Sequence, residues 1–319
     1  MPARKYRLWL LAAFAAALFA SPALAQTQEQ IDSCIGKNDT APAQKVASCT
    51  AIIESGKISG KDLAVAYVLR GEAYDNADDS AKAFADFDQA IKLDPQNGHA
   101  FSSRGLAYMN KENFDAAIAD FDKAIALAPQ DPSPWAYEGD ALYHSGKSDD
   151  ALISFAGAIR RDPNWMWPYN DRGELYLDQG NIPLALADFD QVVSLASATP
   201  MGWNNRCRAR AISGDLDGAL ADCNQAIKLS AVFVNHMEKS GEVSAIGDRA
   251  LVQLKAGHFD LAVSDYDKAL ALTPKSAEVL YGRGTAKLKS GDKSGDADVA
   301  AAKKIKADIA TVFAGYGVK

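Results

Sequence analysis

Residues Gly98–Asp131 read GHAFSSRGLAYMNKENFDAAIADFDKAIALAPQD, and the fold follows from this stretch. Phe101, Leu106 and Tyr108 fall on one face of a first helix. Ala117, Phe121, Ala124 and Ile125 fall on one face of a second, at the spacing of an amphipathic helix. Lys111, Glu112 and Asn113 supply the turn between them. Pro129 stops the second helix, because its ring blocks the backbone ladder and it has no N–H to donate. The pattern then returns with a period of about 34 residues.

Six copies align in register: Ala64–Asn97, Gly98–Asp131, Pro132–Trp165, Met166–Thr199, Pro200–Phe233 and Val243–Ser276. A degenerate seventh begins at Ala277. An aromatic stands near the start of five copies (Tyr67, Phe101, Trp135, Tyr169, Trp203), with Ile246 and Leu280 in the last two. Four residues later comes a small residue, Gly71, Gly105, Gly139, Gly173, Cys207, Ala250 and Gly284, which lets two helix backbones approach. The second helix carries Ala83, Ala117, Ala151, Ala185, Ala219 and Ala262. With Tyr108, Phe121 and Pro129 at their spacings, the pattern resembles the tetratricopeptide repeat (TPR) family. The resemblance implies an all-α fold, a TPR-type α-α superhelix (solenoid) of antiparallel helix pairs, in which each unit touches its neighbours.

The rest of the chain is arranged around these copies. Residues 1–25 are read as a signal peptide, 26–63 as a divergent N-terminal helical hairpin and 64–233 as repeats one to five. Residues 234–242 form an insertion, 243–276 the sixth repeat, and 277–319 a degenerate seventh repeat with a capping helix. Arg4, Lys5 and Arg7 precede an apolar core, Leu8–Ala20, and Ala23-Leu24-Ala25 gives a small-x-small site. Cleavage is expected after Ala25, since the apolar run is short for a spanning helix. The alternative is an uncleaved anchor. No later run has spanning length, so the mature chain is expected to be free of membrane insertion and periplasmic or secreted, in the style of an exported bacterial protein. Removing the leader leaves 31 basic against 41 acidic residues, a formal charge of −10, which disfavours nucleic acid.

The four cysteines suit export. Cys207 occupies the small position of a first helix and Cys223 the core aromatic position of its partner, and these two positions face each other in the repeat. Cys34 and Cys49 stand at a similar separation in the N-terminal hairpin. Disulfides 34–49 and 207–223 are expected, each worth about 3 kcal/mol in the chain-entropy model. The alternative is four free thiols filling core volume. A polar pattern also repeats. Arg70, Arg104, Arg172, Arg206, Arg249 and Arg283 pair in register with Asp86, Asp120, Asp188, Asp222 and Asp265, while repeat three has Glu138 and Ser154 instead. Arg–Asp bridges between helices are expected, each contributing under about 1 kcal/mol if partly exposed.

Signs of catalysis are missing from the sequence. It has no G-x-x-x-x-G-K-S/T, H-E-x-x-H or G-x-S-x-G, and its four histidines lack partners at metal-ligand spacing. No enzyme, cofactor or metal is expected. The resemblance instead implies a concave groove lined by the second, fifth, ninth, twelfth and thirteenth residues of each repeat and by its last two. These positions hold His99, Ser102, Met109 and Asn110, then Asp140, Tyr143 and His144. Trp165, Trp167, Asn170, Glu174, Asp178, Met201, Asn204 and Arg208 follow. Tyr143, Trp165, Trp167, Asn170, Glu174, Asn204, Arg208 and Asn110 form the candidate partner-binding set, because aromatics beside Asn and Arg are typical hot-spot chemistry. The alternative is that both tryptophans pack between repeats. The lysines of the family's carboxylate-clamp members are missing. The expected function is a non-enzymatic scaffold binding a peptide or helix of another protein outside the cytoplasm. The alternatives are a structural subunit of a cell-envelope assembly or, less favoured, an enzyme with an unrecognised site.

Overall fold

The computed structural model describes residues 22–37, 40–231 and 236–318. Most of the predicted leader, 1–21, lies outside them, as does part of the predicted insertion, through residue 235. The described residues form seventeen helices and no strand, the all-α architecture of a helix-pair solenoid. The chain divides into two compact units, one ending at Pro163 and the other starting at Asn164.

The first unit contains α1 (Pro22–Cys34), α2 (Pro42–Glu54), α3 (Gly60–Asn76), α4 (Ser80–Leu93), α5 (Gly98–Asn110), α6 (Phe114–Leu127), α7 (Pro132–His144) and α8 (Ser148–Arg161). The second contains α9 (Met166–Asp178), α10 (Ile182–Leu195), α11 (Pro200–Ser213), α12 (Leu216–Ser230), α13 (His236–Lys255), α14 (Phe259–Leu272), α15 (Ala277–Lys289), α16 (Gly295–Ile305) and α17 (Ile309–Gly315). Within each unit each helix packs on the next, and odd-numbered helices also touch one another, α3 with α5 with α7 and α9 with α11 with α13 with α15. Within each unit the odd helices therefore make one continuous layer.

Local chemistry sets the boundaries. Asn97, Asn113 and Asp131 cap α5, α6 and α7 by accepting from the backbone N–H of Ala100, Ala116 and Ser133. The turn inside each pair places one residue at positive φ. It is Gly36, Gly146, Gly180, Gly214, Gly257 or Gly291 in six pairs, but Asp78 (φ 61°) and Glu112 (φ 57°) in two.

The core explains the recurring small residue. Phe87, Phe121, Phe155 and Phe189 are fully buried. A Cβ on Gly71, Gly105, Gly139 or Gly173 would lie 2.6–2.7 Å from the facing ring, too close for any alanine. Repeat five replaces glycine and phenylalanine together by Cys207 and Cys223, whose sulfurs are bonded, with 5.4 Å between Cα atoms. Cys34 and Cys49 are likewise bonded and join α1 to α2.

Arginine and aspartate meet within repeats, at a separation of sixteen residues. Arg104 Nε and Nη2 donate to Asp120 at 2.8 and 2.7 Å, and Arg206 does the same to Asp222 at 2.8 and 2.7 Å. Arg283 reaches Asp298, one residue closer in the shortened last repeat. Third donors cross to the preceding repeat, from Arg104 to Asp88, Arg206 to Asp190 and Arg283 to Asp267. The aspartates are buried, Asp222 and Asp265 to 2% exposure, so the weak surface-pair value does not apply. Removing one partner leaves a buried charge, at a cost of about 3–5 kcal/mol. Repeat three closes differently, with Ser154 Oγ donating to Glu138 Oε2 at 2.6 Å. Burial, together with Asp122 and Asp150, pushes the Glu138 carboxyl up to about 7.

The end segments differ in detail from the sequence reading. The N-terminal hairpin, expected from residue 26, begins at Pro22, so its first helix runs across Ala23-Leu24-Ala25. From His236 onward the insertion is helical and extends the first helix of repeat six to twenty residues. The expected capping helix is Ile309–Gly315, preceded by a turn in which the Ile309 N–H donates to the Lys306 carbonyl.

Candidate functional site

The candidate residues divide between the units. In the first, Asn110 ends α5 exposed and donates from Nδ2 to Asp75 Oδ2 on α3 at 2.8 Å. Beside it on the same helix layer, Glu72 accepts from Ser103 Oγ at 2.8 Å and pairs with His99 Nε2 at 3.1 Å. Burial would raise the Glu72 carboxyl, but these partners hold it at about 2. Tyr143 is half-buried and stacks on His144, with centroids 5.4 Å apart.

The other six residues lie in the second unit. Trp165 and Trp167 are half-buried at the start of α9, between the exposed and packed alternatives. Asn170 differs from expectation: it is completely buried and cannot touch a partner. Its Nδ2 donates to Asp171 Oδ1 and Glu174 Oε1, both at 3.1 Å, and its Oδ1 accepts from Asn205 Nδ2 at 2.8 Å. Asn205 Nδ2 also reaches Glu174 Oε1 at 3.0 Å. Asn170 therefore ties α9 to α11. Asn204 is also nearly covered, 7% exposed, with Nδ2 donating to Ser244 Oγ at 3.1 Å. Packing of α11 against α13 covers the wall position that the repeat pattern had marked as open.

Arg208 opens a different environment. It lines a cavity of about 260 Å³ with Ser244, Gly247 and Asp248 of α13, Tyr266 of α14, Glu278 of α15, and Phe313 and Tyr316 of the C-terminal cap. Arg208, Ser244, Gly247, Leu251 and Glu278 occupy ninth, second, fifth, ninth and second positions of three successive repeats. These are the groove positions implied by the resemblance.

Arg208 Nε and Asp248 Oδ2 sit 3.5 Å apart as an ion pair, yet neither atom has a hydrogen-bond partner. The Tyr266 hydroxyl and Asn204 Oδ1 are also buried without one. Asp248 raises the affinity of the Arg208 guanidinium for its proton. Burial pushes the Asp248 carboxyl up, with Glu278 adding to the shift and Arg208 opposing it. Tyr266 and Tyr316 are both raised, first by burial and then by neighbouring carboxylates.

Asp248, Tyr266, Glu278, Phe313 and Tyr316 were absent from the candidate set. Two signals in the sequence pointed to them. Gly247 stands where repeats four and five carry Asn170 and Asn204, and Tyr266 stands where four earlier repeats carry phenylalanine. Among the described residues no group of three or more His, Cys, Asp and Glu side chains is placed to hold a metal. No described helix is long and apolar enough to cross a membrane.

Comparison with known proteins agrees with this architecture. Among solved structures, the chain is similar to the APC/C hetero-tetramer Cut9-Hcn1 (16% identity, 91% of this chain and 54% of that one, TM-score 0.65). It is also similar to a tetratricopeptide repeat protein from Parabacteroides merdae ATCC 43184 (16%, 79% and 98%, 0.61) and to the yeast Tom70 (17%, 96% and 66%, 0.58). At these identities the likeness is one of fold, and the chain spans about half the length of the first. A search of curated proteins gave no match. The family model described as Tetratricopeptide repeat matches residues 68–132, 103–164, 170–231 and 248–308. These matches cover more than half of the sequence, and the chain belongs to the tetratricopeptide repeat family.

Proposed function

We propose that this protein is a non-enzymatic scaffold that holds a peptide or helix of a partner protein along the odd-helix layer of its second unit, outside the cytoplasm. The family's fold supports a protein-interaction role in general. One observation carries the finer reading: the cavity beside Arg208 lies at the groove positions of three consecutive repeats. A preformed cavity lowers the ordering cost of binding on the receptor side. The export half of the proposal is supported by the leader-like first 25 residues and by two bonded cysteine pairs, which persist in oxidising compartments.

A photo-crosslinking side chain at Ser244, compared with one at the exposed Leu261 on α14, tests the binding reading. In native extract, adducts to a discrete partner are expected from position 244 and not from 261. Equal labelling at both positions, or none at 244, would remove the groove assignment. N-terminal sequencing of the protein from its native cells should begin at Gln26, and a chain still starting at Met1 would contradict export by cleavage.

A further inference from the structure

The cavity beside Arg208 has a chemical bias of its own. Tyr266 occupies the position that is Phe87, Phe121, Phe155 and Phe189 in repeats one to four. The residue is 2% exposed and lines the cavity, and its buried hydroxyl has no hydrogen-bond partner. Room for that hydroxyl comes from Gly282, where a Cβ would lie 2.4 Å from the Tyr266 oxygen. Opposite, a Cβ on Gly247 would meet nothing within 4 Å. A core residue has thus gained a polar tip, and a wall residue has lost its side chain, around one space.

Charge decides what fits there. Among the described residues that line the cavity, Asp248 and Glu278 face one cation, Arg208, and Glu174 adds a further negative charge near the guanidinium. Among the residues that line the space, Asp248 has an oxygen, Oδ2, without a hydrogen-bond partner, the Glu278 carboxylate can accept, and a phenol can also accept. An anion drawn to Arg208 would sit against two carboxylates. A cation would satisfy the acceptors and relieve the upward pressure that burial and Glu278 place on Asp248. Phe313 and Tyr316 supply aromatic walls suited to an alkyl stem and a cationic head. The volume, about 260 Å³, suits one long side chain rather than a whole cofactor.

We propose that this cavity is a specificity pocket for a basic side chain, the ammonium or guanidinium head of a lysine or arginine on the bound partner, received by Asp248, Glu278 and the Tyr266 hydroxyl. The proposal rests on the reading that the odd-helix layer holds the partner.

The test titrates the purified full-length mature protein with Nα-acetyl-lysine methylamide, its arginine, norleucine and glutamate counterparts, and free 1-aminopentane. The lysine and arginine probes should bind saturably, at least about tenfold more tightly than norleucine, as expected when a buried acceptor is left unmatched. Asp248→Asn should remove most of this preference. Because that change also disturbs the Arg208 pair, Gly247→Leu serves as a second variant that fills the space while leaving every charge in place. It should abolish lysine binding at an unchanged or higher melting temperature.

Equal binding of lysine and norleucine, or a preference for glutamate, would overturn the proposal. Tighter binding of 1-aminopentane than of the lysine probe would overturn its assignment to a partner's side chain. Adducts at position 244 with no lysine preference would sink this inference alone, whereas a lysine preference without adducts would leave the pocket and sink the scaffold reading.

Discussion

Two polar clusters lie on the odd-helix layer of the second unit, and they are finished differently. Around Asn170, two amides and the Glu174 carboxylate bond to each other, and Asn170 has no exposed surface. Around Arg208, the guanidinium Nε, Asp248 Oδ2 and the Tyr266 hydroxyl are left without hydrogen-bond partners, on residues that line open space. Buried polar groups are normally satisfied, because leaving one unmet costs about 1–3 kcal/mol. The closed cluster thus holds helices together, and the open one is where we propose that a partner side chain binds.

Breaking the closed cluster should have the largest effect on stability. Asn170→Leu leaves one of the two Asn205 Nδ2 hydrogens without an acceptor and removes a donor from Asp171 and Glu174, so a loss of about 2–4 kcal/mol is expected in chemical denaturation. A loss under about 0.5 kcal/mol, the usual range of a surface substitution, would mean that Asn170 belongs to the wall after all.

Repeat three sharpens the same contrast in the first unit, because Glu138 lies where other repeats place an arginine. Its carboxyl is raised from 4.5 to about 7, so the folded state binds the proton more tightly than the unfolded chain does. Its contribution is full below pH 4.5 and is lost as pH rises through about 7. The melting temperature should therefore fall between pH 5 and pH 8, and Glu138→Gln should flatten part of that slope. His99, also raised by its Glu72 partner against the effect of burial, works in the same direction and would account for the remainder. An unchanged slope in Glu138→Gln would show that the carboxyl titrates normally.

Trimming or filling the open cluster should cost no stability. Gly247→Ala adds a methyl group into free space and improves helix propensity, so a gain of about 0.5–1 kcal/mol is expected. Tyr266→Phe removes a buried hydroxyl with no partner and should raise stability, by up to about 1–3 kcal/mol. A drop of several degrees in the melting temperature of Tyr266→Phe would show that the hydroxyl is already satisfied inside the fold.

Much of the fold was legible because each repeat is its own control. The helix pairs, the glycine facing each core phenylalanine and the Arg–Asp register all follow from one spacing repeated along the chain. The exchange of Gly and Phe for Cys207 and Cys223 could be read from position alone. The site was less legible because a repeat pattern marks a face and says nothing about how far neighbouring helices cover it. Asn170 and Asn204 occupy groove positions, but packing between α9, α11 and α13 buries them. Tyr266 and the C-terminal cap lay outside the positional rule, since one comes from the core register and the other from beyond the last repeat.

The most direct test fills the open space without touching a charge. Capture of the partner identified from position 244 should be lost in Gly247→Leu while its melting temperature stays at or above that of the unmodified protein. Capture at undiminished affinity in a folded Gly247→Leu protein would contradict the account.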